Sequence, residues 1–144
     1  MKFVALFAGL LAAVFIMTGA GGKAVSYIDA AKVAAALSKG GVMVSQSDLT
    51  VQGGHRDAAG QVEVHDKETD IFYVTDGEAT VVTGGTMVGG TQKSPGQMLG
   101  TSIQGGETHH LAKGDAMVIP AGTPHWFKEV PKSISYFVVK VLAP

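Results

Sequence analysis

The hydrophobic pattern divides the chain into an apolar leader, one helical segment and a long series of short strands. The leader starts with Lys2 and continues as an uncharged apolar run over residues 3–17, followed by the small residues of Thr18-Gly19-Ala20. This order is typical of a secretory signal peptide, which we expect at residues 1–20, with residue 24 as the latest candidate cleavage point. A retained anchor is the alternative. Because the run is shorter than the roughly 20 residues of a membrane span, we expect no stable anchor and a periplasmic or secreted protein.

The segment that follows the leader predicts one helix, over residues 26–40. Ser26 is the candidate N-cap, and Asp29 stands three residues later, as in a weak capping box. Alanines, with Val33 and Leu37, give the segment helix propensity and an apolar face. Gly40 and Gly41 end the helix.

The rest of the chain reads as short apolar runs separated by glycines, a pattern that favours a β-sandwich or barrel. Asp76-Gly77 and Lys113-Gly114-Asp115 are turn signals, and residues 84–96, rich in Gly, Thr and Ser, predict a loop. The predicted strands are residues 42–45, 49–54, 61–65, 70–75, 78–83, 98–103, 108–111, 116–119, 125–129 and 133–142.

The amino-acid composition argues against nucleic acid binding and limits the kinds of metal ligand the chain can offer. The chain has 144 residues and a formal net charge of -1, and its lysines form no basic stripe, so we expect no nucleic acid partner. Cysteine is absent, so any metal site must use imidazole and carboxylate groups. The 20 glycines and 5 prolines fit an all-β domain, because such a domain needs many turns.

Four side chains that can ligate a metal are placed to meet inside a barrel. Glu63 and His65 alternate along one predicted strand, so they point to the same face. Asp70 opens the next strand, and His125 follows a Pro-x-Gly turn. Two imidazoles and two carboxylates suit a divalent metal: Fe, Mn or Zn. The alternative is that Glu63 pairs with Arg56 or a lysine and no metal binds.

The second of these segments resembles a motif of the cupin superfamily, Gly-x5-Pro-x-Gly-x2-His-x3-Asn. Gly114, Pro120, Gly122 and His125 stand at the motif spacing, and Glu129 takes the place of the usual Asn.

The first cupin motif, Gly-x5-His-x-His-x3,4-Glu-x6-Gly, is present in altered form. Counting back from Gly77, Asp70 takes the place of the family Glu, His65 that of the second His and Glu63 that of the first. A different register would pair His65 with Lys67, but a protonated lysine cannot ligate a metal, so we prefer the register with Glu63.

The resemblance implies a double-stranded β-helix, the jelly-roll or RmlC-like barrel, over residues 41–144, with the predicted helix before it. It also implies metal binding through the four residues named above and a small-molecule ligand. Residues that could contribute to the pocket are Arg56, Lys67, Phe72, His109, Phe127 and Tyr136. For His109 an exposed edge position is the alternative, and Arg56 is a candidate anchor for a carboxylate.

Function divides into two classes at this point. One is a metal-dependent enzyme acting on a small molecule, oxygenase-like or isomerase-like. The other is a non-catalytic module that binds an acid or a sugar, with or without metal. Residues 133–142 are nearly all apolar, which indicates burial on both faces or a subunit interface, so we expect a homodimer.

Overall fold

The computed structural model describes residues 24–143, which form one helix and twelve strands. The elements in chain order are α1 (Ala30–Lys39), β1 (Gly41–Ser45), β2 (Leu49–Arg56), β3 (Val62–His65), β4 (Glu68–Thr83), β5 (Thr86–Val88), β6 (Thr91–Ser94), β7 (Gln97–Gly100), β8 (Ser102–Gln104), β9 (Glu107–Ala112), β10 (Ala116–Ile119), β11 (His125–Glu129) and β12 (Ile134–Leu142).

The strands build a curled antiparallel sheet, in which ten strands are joined in the order β1-β2-β12-β4-β11-β3-β7-β6, with β9 and β10 also pairing with β4. Strands β5 and β8 form a separate two-stranded sheet. The predicted all-β jelly-roll architecture with one helix is therefore confirmed.

Strand β4 connects the two halves of the fold. Its first part pairs with β10 and β12, and its second part pairs with β9 and β11. The bend lies at Gly77, whose φ of 75° favours glycine. A Cβ there would also lie 2.0 Å from the carbonyl oxygen of Ser133. The turn expected at Asp76-Gly77 is this bend, because backbone pairing continues through it.

Three further boundaries differ from the sequence-based expectation. Helix α1 begins at Ala30, because the Asp29 carboxylate accepts a hydrogen bond from the Lys32 amide at 3.0 Å, so Asp29 and not Ser26 is the N-cap. The loop expected at residues 84–96 contains β5 and β6. The strand expected at residues 98–103 is divided between β7 and β8, because these strands pair with different partners.

The core lies between the two halves of the sheet. Phe72 and Tyr136 come from the half that contains β12, and Phe127 comes from β11. The rings of Phe127 and Tyr136 stack with centroids 5.3 Å apart, and Phe72 packs edge-on against both. The two inner faces therefore meet around an aromatic cluster.

Helix α1 packs on the outer face of β2. Gly53 faces the helix, and Gly54 faces the opposite side of the strand. A Cβ on Gly53 would lie 2.4 Å from the Ala36 backbone in the helix, and one on Gly54 would lie 2.1 Å from the Tyr136 ring. The helix and the aromatic cluster can therefore both approach β2 closely.

In residues 24–143, no helix has the length and apolar character needed to cross a membrane. The signal peptide expected at residues 1–20 lies outside the described residues.

Candidate metal centre

Three strands bring the four candidate ligands together. Glu63 and His65 alternate along β3, and the antiparallel pairing of β11 with β3 places His125 opposite Glu63. Glu63 Oε2 lies 3.5 Å from His65 Nε2 and 4.0 Å from His125 Nε2. Asp70, on β4, places Oδ2 3.5 Å and 3.8 Å from the same two nitrogens. The four head groups thus face a common point within the fold.

Hydrogen bonds on the far side of each ring fix how the imidazoles face this point. His125 Nδ1 donates to the backbone carbonyl oxygen of Thr123 at 3.1 Å. His65 Nδ1 donates to Gln97 Oε1, and Gln97 Nε2 donates in turn to Glu68 Oε2 at 3.3 Å. In this arrangement the proton of each neutral ring is on Nδ1, and the Nε2 lone pair is directed at the carboxylates.

The donor chemistry fits a divalent cation. His65 Nε2 is buried and makes no hydrogen bond with any described residue, which is costly for a polar atom without a partner. Donor atoms of Glu63, His65 and His125 all lie within 4.8 Å of one another. Two neutral imidazoles and a carboxylate are suitable ligands for Fe, Mn or Zn.

Each of the two acids also has a basic partner on another strand: Arg56 on β2 for Glu63, and Lys140 on β12 for Asp70. Arg56 Nη2 lies 3.1 Å from Glu63 Oε1. Lys140 Nζ lies 2.7 Å and 2.9 Å from the two oxygens of Asp70, and 3.4 Å from Glu68 Oε2. Burial of the two acids is thus compensated partly by two cations.

The environment shifts the ionisation of these groups in different directions. Burial raises the pKa of Glu63, but the interaction with His65 and the charge of Arg56 outweigh it and lower the pKa to about 2. Burial lowers the pKa of His65, but the interactions with Glu63, Asp70 and Gln97 together outweigh it and the pKa is raised. Burial dominates at His125 and lowers its pKa. Glu63 is therefore ionised at neutral pH, and His125 is the more readily deprotonated imidazole.

A cavity of about 230 Å³ opens beside the centre. Of the side chains expected in the pocket, Arg56, Phe72, Phe127 and Tyr136 line it. Arg56 lies over the Phe127 ring, 4.7 Å from its centroid, and its Nε donates to the Tyr136 hydroxyl at 3.1 Å. The same cavity is lined by Gln52, Gly53, Gly54, Glu63, Asp70, His125, Val138 and Lys140.

Two of the expected pocket residues lie elsewhere. The Lys67 side chain is exposed and does not line the cavity. The structure therefore does not support the alternative register, in which Lys67 would be a ligand beside His65. His109 borders a different cavity, and its Nε2 lies 3.1 Å from the Thr83 hydroxyl. Lys67 lies in the turn between β3 and β4, and His109 lies on β9, which pairs with the second part of β4.

Sequence reasoning missed three residues of the centre: Glu68, Gln97 and Lys140. The sequence held a signal for Lys140. It alternates with Tyr136 and Val138, so it points to the same inward face, and it is the one charged residue of a mostly apolar strand. Gln97 carries no such signal, since it contacts His65 only through the pairing of β7 with β3.

Comparisons with known proteins support the fold. The family model described as Cupin matches residues 18–144. No curated protein sequence matches the chain. The TT1209 protein from Thermus thermophilus has a similar structure, with a TM-score of 0.53 and 19% identity, over 83% of this chain and 100% of that protein.

Two further solved structures are similar at lower scores. A cupin protein from Bacteroides fragilis gives a TM-score of 0.47 at 16% identity, over 68% of this chain and 69% of that one. Peruvianin-I, a cysteine peptidase from Thevetia peruviana latex, gives 0.45 at 14% identity over 66% of this chain. The chain spans about half of that peptidase, 51% of its length. At 19% identity, the likeness to the TT1209 protein shows a shared fold and transfers no activity.

Proposed function

The chain belongs to the cupin family, and from this membership and the donor cluster we propose that it binds one divalent metal ion and acts on a small molecule in the adjoining cavity. The ion would be held by His65, His125 and Glu63, with Asp70 beside them. The observation that carries the proposal is the buried His65 Nε2 atom, which lacks a hydrogen-bond partner among the described residues and points at two carboxylates.

The chemistry proposed is oxygenase-like or isomerase-like. When bound, an Fe, Mn or Zn ion acts as a Lewis acid toward an oxygen atom of the substrate. Arg56 and Tyr136 supply polar contacts in the cavity, while Phe72 and Phe127 supply apolar wall. A cavity of about 230 Å³ limits the ligand to a small molecule.

Metal content of the purified protein tests the proposal. Elemental analysis after expression in metal-supplemented medium should find about one divalent ion per chain. His65→Ala should abolish it, whereas His109→Ala, which removes an imidazole from a different cavity, should retain it. A folded wild-type protein that holds no Fe, Mn or Zn and takes up none on titration would refute the proposal.

One observation favours a second function, a metal-independent module for binding a small acid or sugar. Arg56 pairs with Glu63 and Lys140 pairs with Asp70, so each of these acids has a cationic partner without a metal. Under this alternative, the metal analysis is negative and small carboxylates or sugars shift the melting temperature of the metal-free protein.

We also propose export and self-association. The apolar run of residues 3–17 after Lys2 supports export, and N-terminal sequencing of the mature protein should place its first residue after Ala20 or, at the latest, after Ala24. Exposed Tyr73 and Val118 on the outer sheet face support a homodimer, which light scattering of the purified protein would detect as twice the chain mass.

A further inference from the structure

We propose that Lys140 is a positioning residue that keeps Asp70 out of the coordination shell, so that the protein supplies only Glu63, His65 and His125 as ligands. The inference rests on the proposed metal binding and specifies how the centre is built. It concerns a contact that neither cupin motif contains.

The two acids of the centre differ in how their oxygens are used. Arg56 Nη2 contacts Oε1 of Glu63, and the other oxygen, Oε2, is the one that faces both imidazoles. At Asp70, Lys140 Nζ lies within hydrogen-bond distance of both oxygens, at 2.7 Å and 2.9 Å. Glu63 therefore has an oxygen that no cation contacts, and Asp70 has none.

The backbone holds Lys140 in this position. Lys140 and Asp70 are direct partners in the antiparallel pairing of β12 with β4, so their side chains start from adjacent points on one face. Glu68 Oε2, 3.4 Å from Nζ, adds a second acid on the same side. The ammonium group would have to leave two carboxylates to release Asp70.

Burial makes that release costly. The Asp70 side chain is 2% exposed and that of Lys140 is 18% exposed. Separating a buried ion pair leaves each charge without compensation, and a metal bound to Asp70 beside Lys140 would bring two cations to one carboxylate. We therefore expect the metal to use the uncovered oxygen of Glu63.

If the protein supplies only three ligands, the bound metal ion keeps coordination positions that other molecules can occupy. Two imidazoles and one carboxylate leave further positions of an iron or manganese ion for solvent or substrate. The cavity that Lys140 and Asp70 line lies on this side of the centre. Lys140 thus sets the number of protein ligands without itself binding the ion.

Titration with Co²⁺ tests this inference, since both its affinity and its visible absorption report on ligand number. In the double variant Asp70→Asn/Lys140→Met, both charges of this ion pair are removed together, and Glu68 keeps the hydrogen bond from Gln97. We expect it to keep the wild-type spectrum and an affinity within about threefold, whereas Glu63→Gln weakens binding at least about tenfold.

Lys140→Met alone frees Asp70, so Co²⁺ should bind at least about tenfold more tightly and with the changed spectrum of an added ligand. Lys140→Arg, which keeps a cation at Asp70, should restore the wild-type spectrum. A double variant as weak as Glu63→Gln, with wild-type binding intact, would overturn this inference alone. A wild-type protein that binds no Co²⁺ would overturn it together with the proposed function.

Discussion

His125 and Thr123 are joined by a hydrogen bond in which the imidazole Nδ1 donates to the backbone carbonyl oxygen at 3.1 Å. The bond spans two residues, so the turn that precedes β11 itself orients the ring. It leaves Nε2 directed at Glu63 and Asp70. Because burial also lowers the pKa of His125, this ring is neutral at physiological pH and available to a metal.

His125→Ala should therefore lower metal affinity by at least about a hundredfold, because it removes a ligand that is already oriented. His55→Ala is the matched control. His55 is paired with Asp57 and Ser135, outside the centre. Calorimetric titration with Zn²⁺ or Mn²⁺ measures both, and equal losses in the two variants would show that the ligands are misassigned.

Gln97→Ala tests the orientation of the other imidazole. Gln97 Oε1 accepts a hydrogen bond from His65 Nδ1, and Gln97 Nε2 donates one to Glu68. Its loss should weaken metal binding about tenfold and leave the stoichiometry at about one ion per chain, because such partners orient a ligand without replacing it. Gln92→Ala, at an exposed position of β6, is the control and should bind as wild type does. Unchanged affinity in the Gln97 variant would show that packing alone orients His65.

The sequence predicted the fold well because it is encoded locally. Alternating apolar positions, glycine turns and the Gly114 to His125 spacing each act over a few residues. The continuous path of β4 was not predicted, because Asp76-Gly77 has the composition of a hairpin turn and only tertiary pairing shows that it is a bend.

The candidate site was predicted less completely than the fold. Spacing alone placed Glu63 beside His65, since a strand repeats every two residues. Gln97 reaches His65 only through strand pairing, and Lys67, two residues further along the chain, is directed to solvent because β3 ends at His65. Contacts made across strands depend on register, which local sequence patterns do not fix.

Glu63→Gln should change how stability depends on pH in the metal-free protein. The pKa of Glu63 is lowered from 4.5 to about 2, so folding is favoured by its ionised form. That stabilisation, on the order of 3 kcal/mol, is present above pH 4.5 and is lost as the pH falls toward 2. Urea unfolding in the presence of a chelator, at several pH values between 7 and 3, measures it.

The wild-type and Glu63→Gln proteins should therefore differ most in free energy of unfolding between pH 5 and 7, and converge in acid. Glu107→Gln is the control, because this acid is 79% exposed and its loss should have little effect at any pH. A difference between wild type and Glu63→Gln that stays constant down to pH 3 would contradict a carboxylate stabilised by His65 and Arg56.

Tyr136→Phe tests what the Tyr136 hydroxyl contributes apart from the ring, because it removes the hydroxyl and keeps the aromatic ring. The ring would keep its stacking on Phe127, but Arg56 Nε would lose its acceptor, the Tyr136 hydroxyl. We expect the free energy of unfolding to fall by about 1 kcal/mol, the usual effect of removing one hydrogen-bond partner. Tyr73→Phe is the matched control, because Tyr73 is 52% exposed on the outer face and its loss should change stability by less than about 0.5 kcal/mol. Chemical unfolding measures the free energy of unfolding of both variants and of the wild type. A Tyr136→Phe protein as stable as the wild type would show that the Arg56 contact contributes nothing to the stability of the folded state.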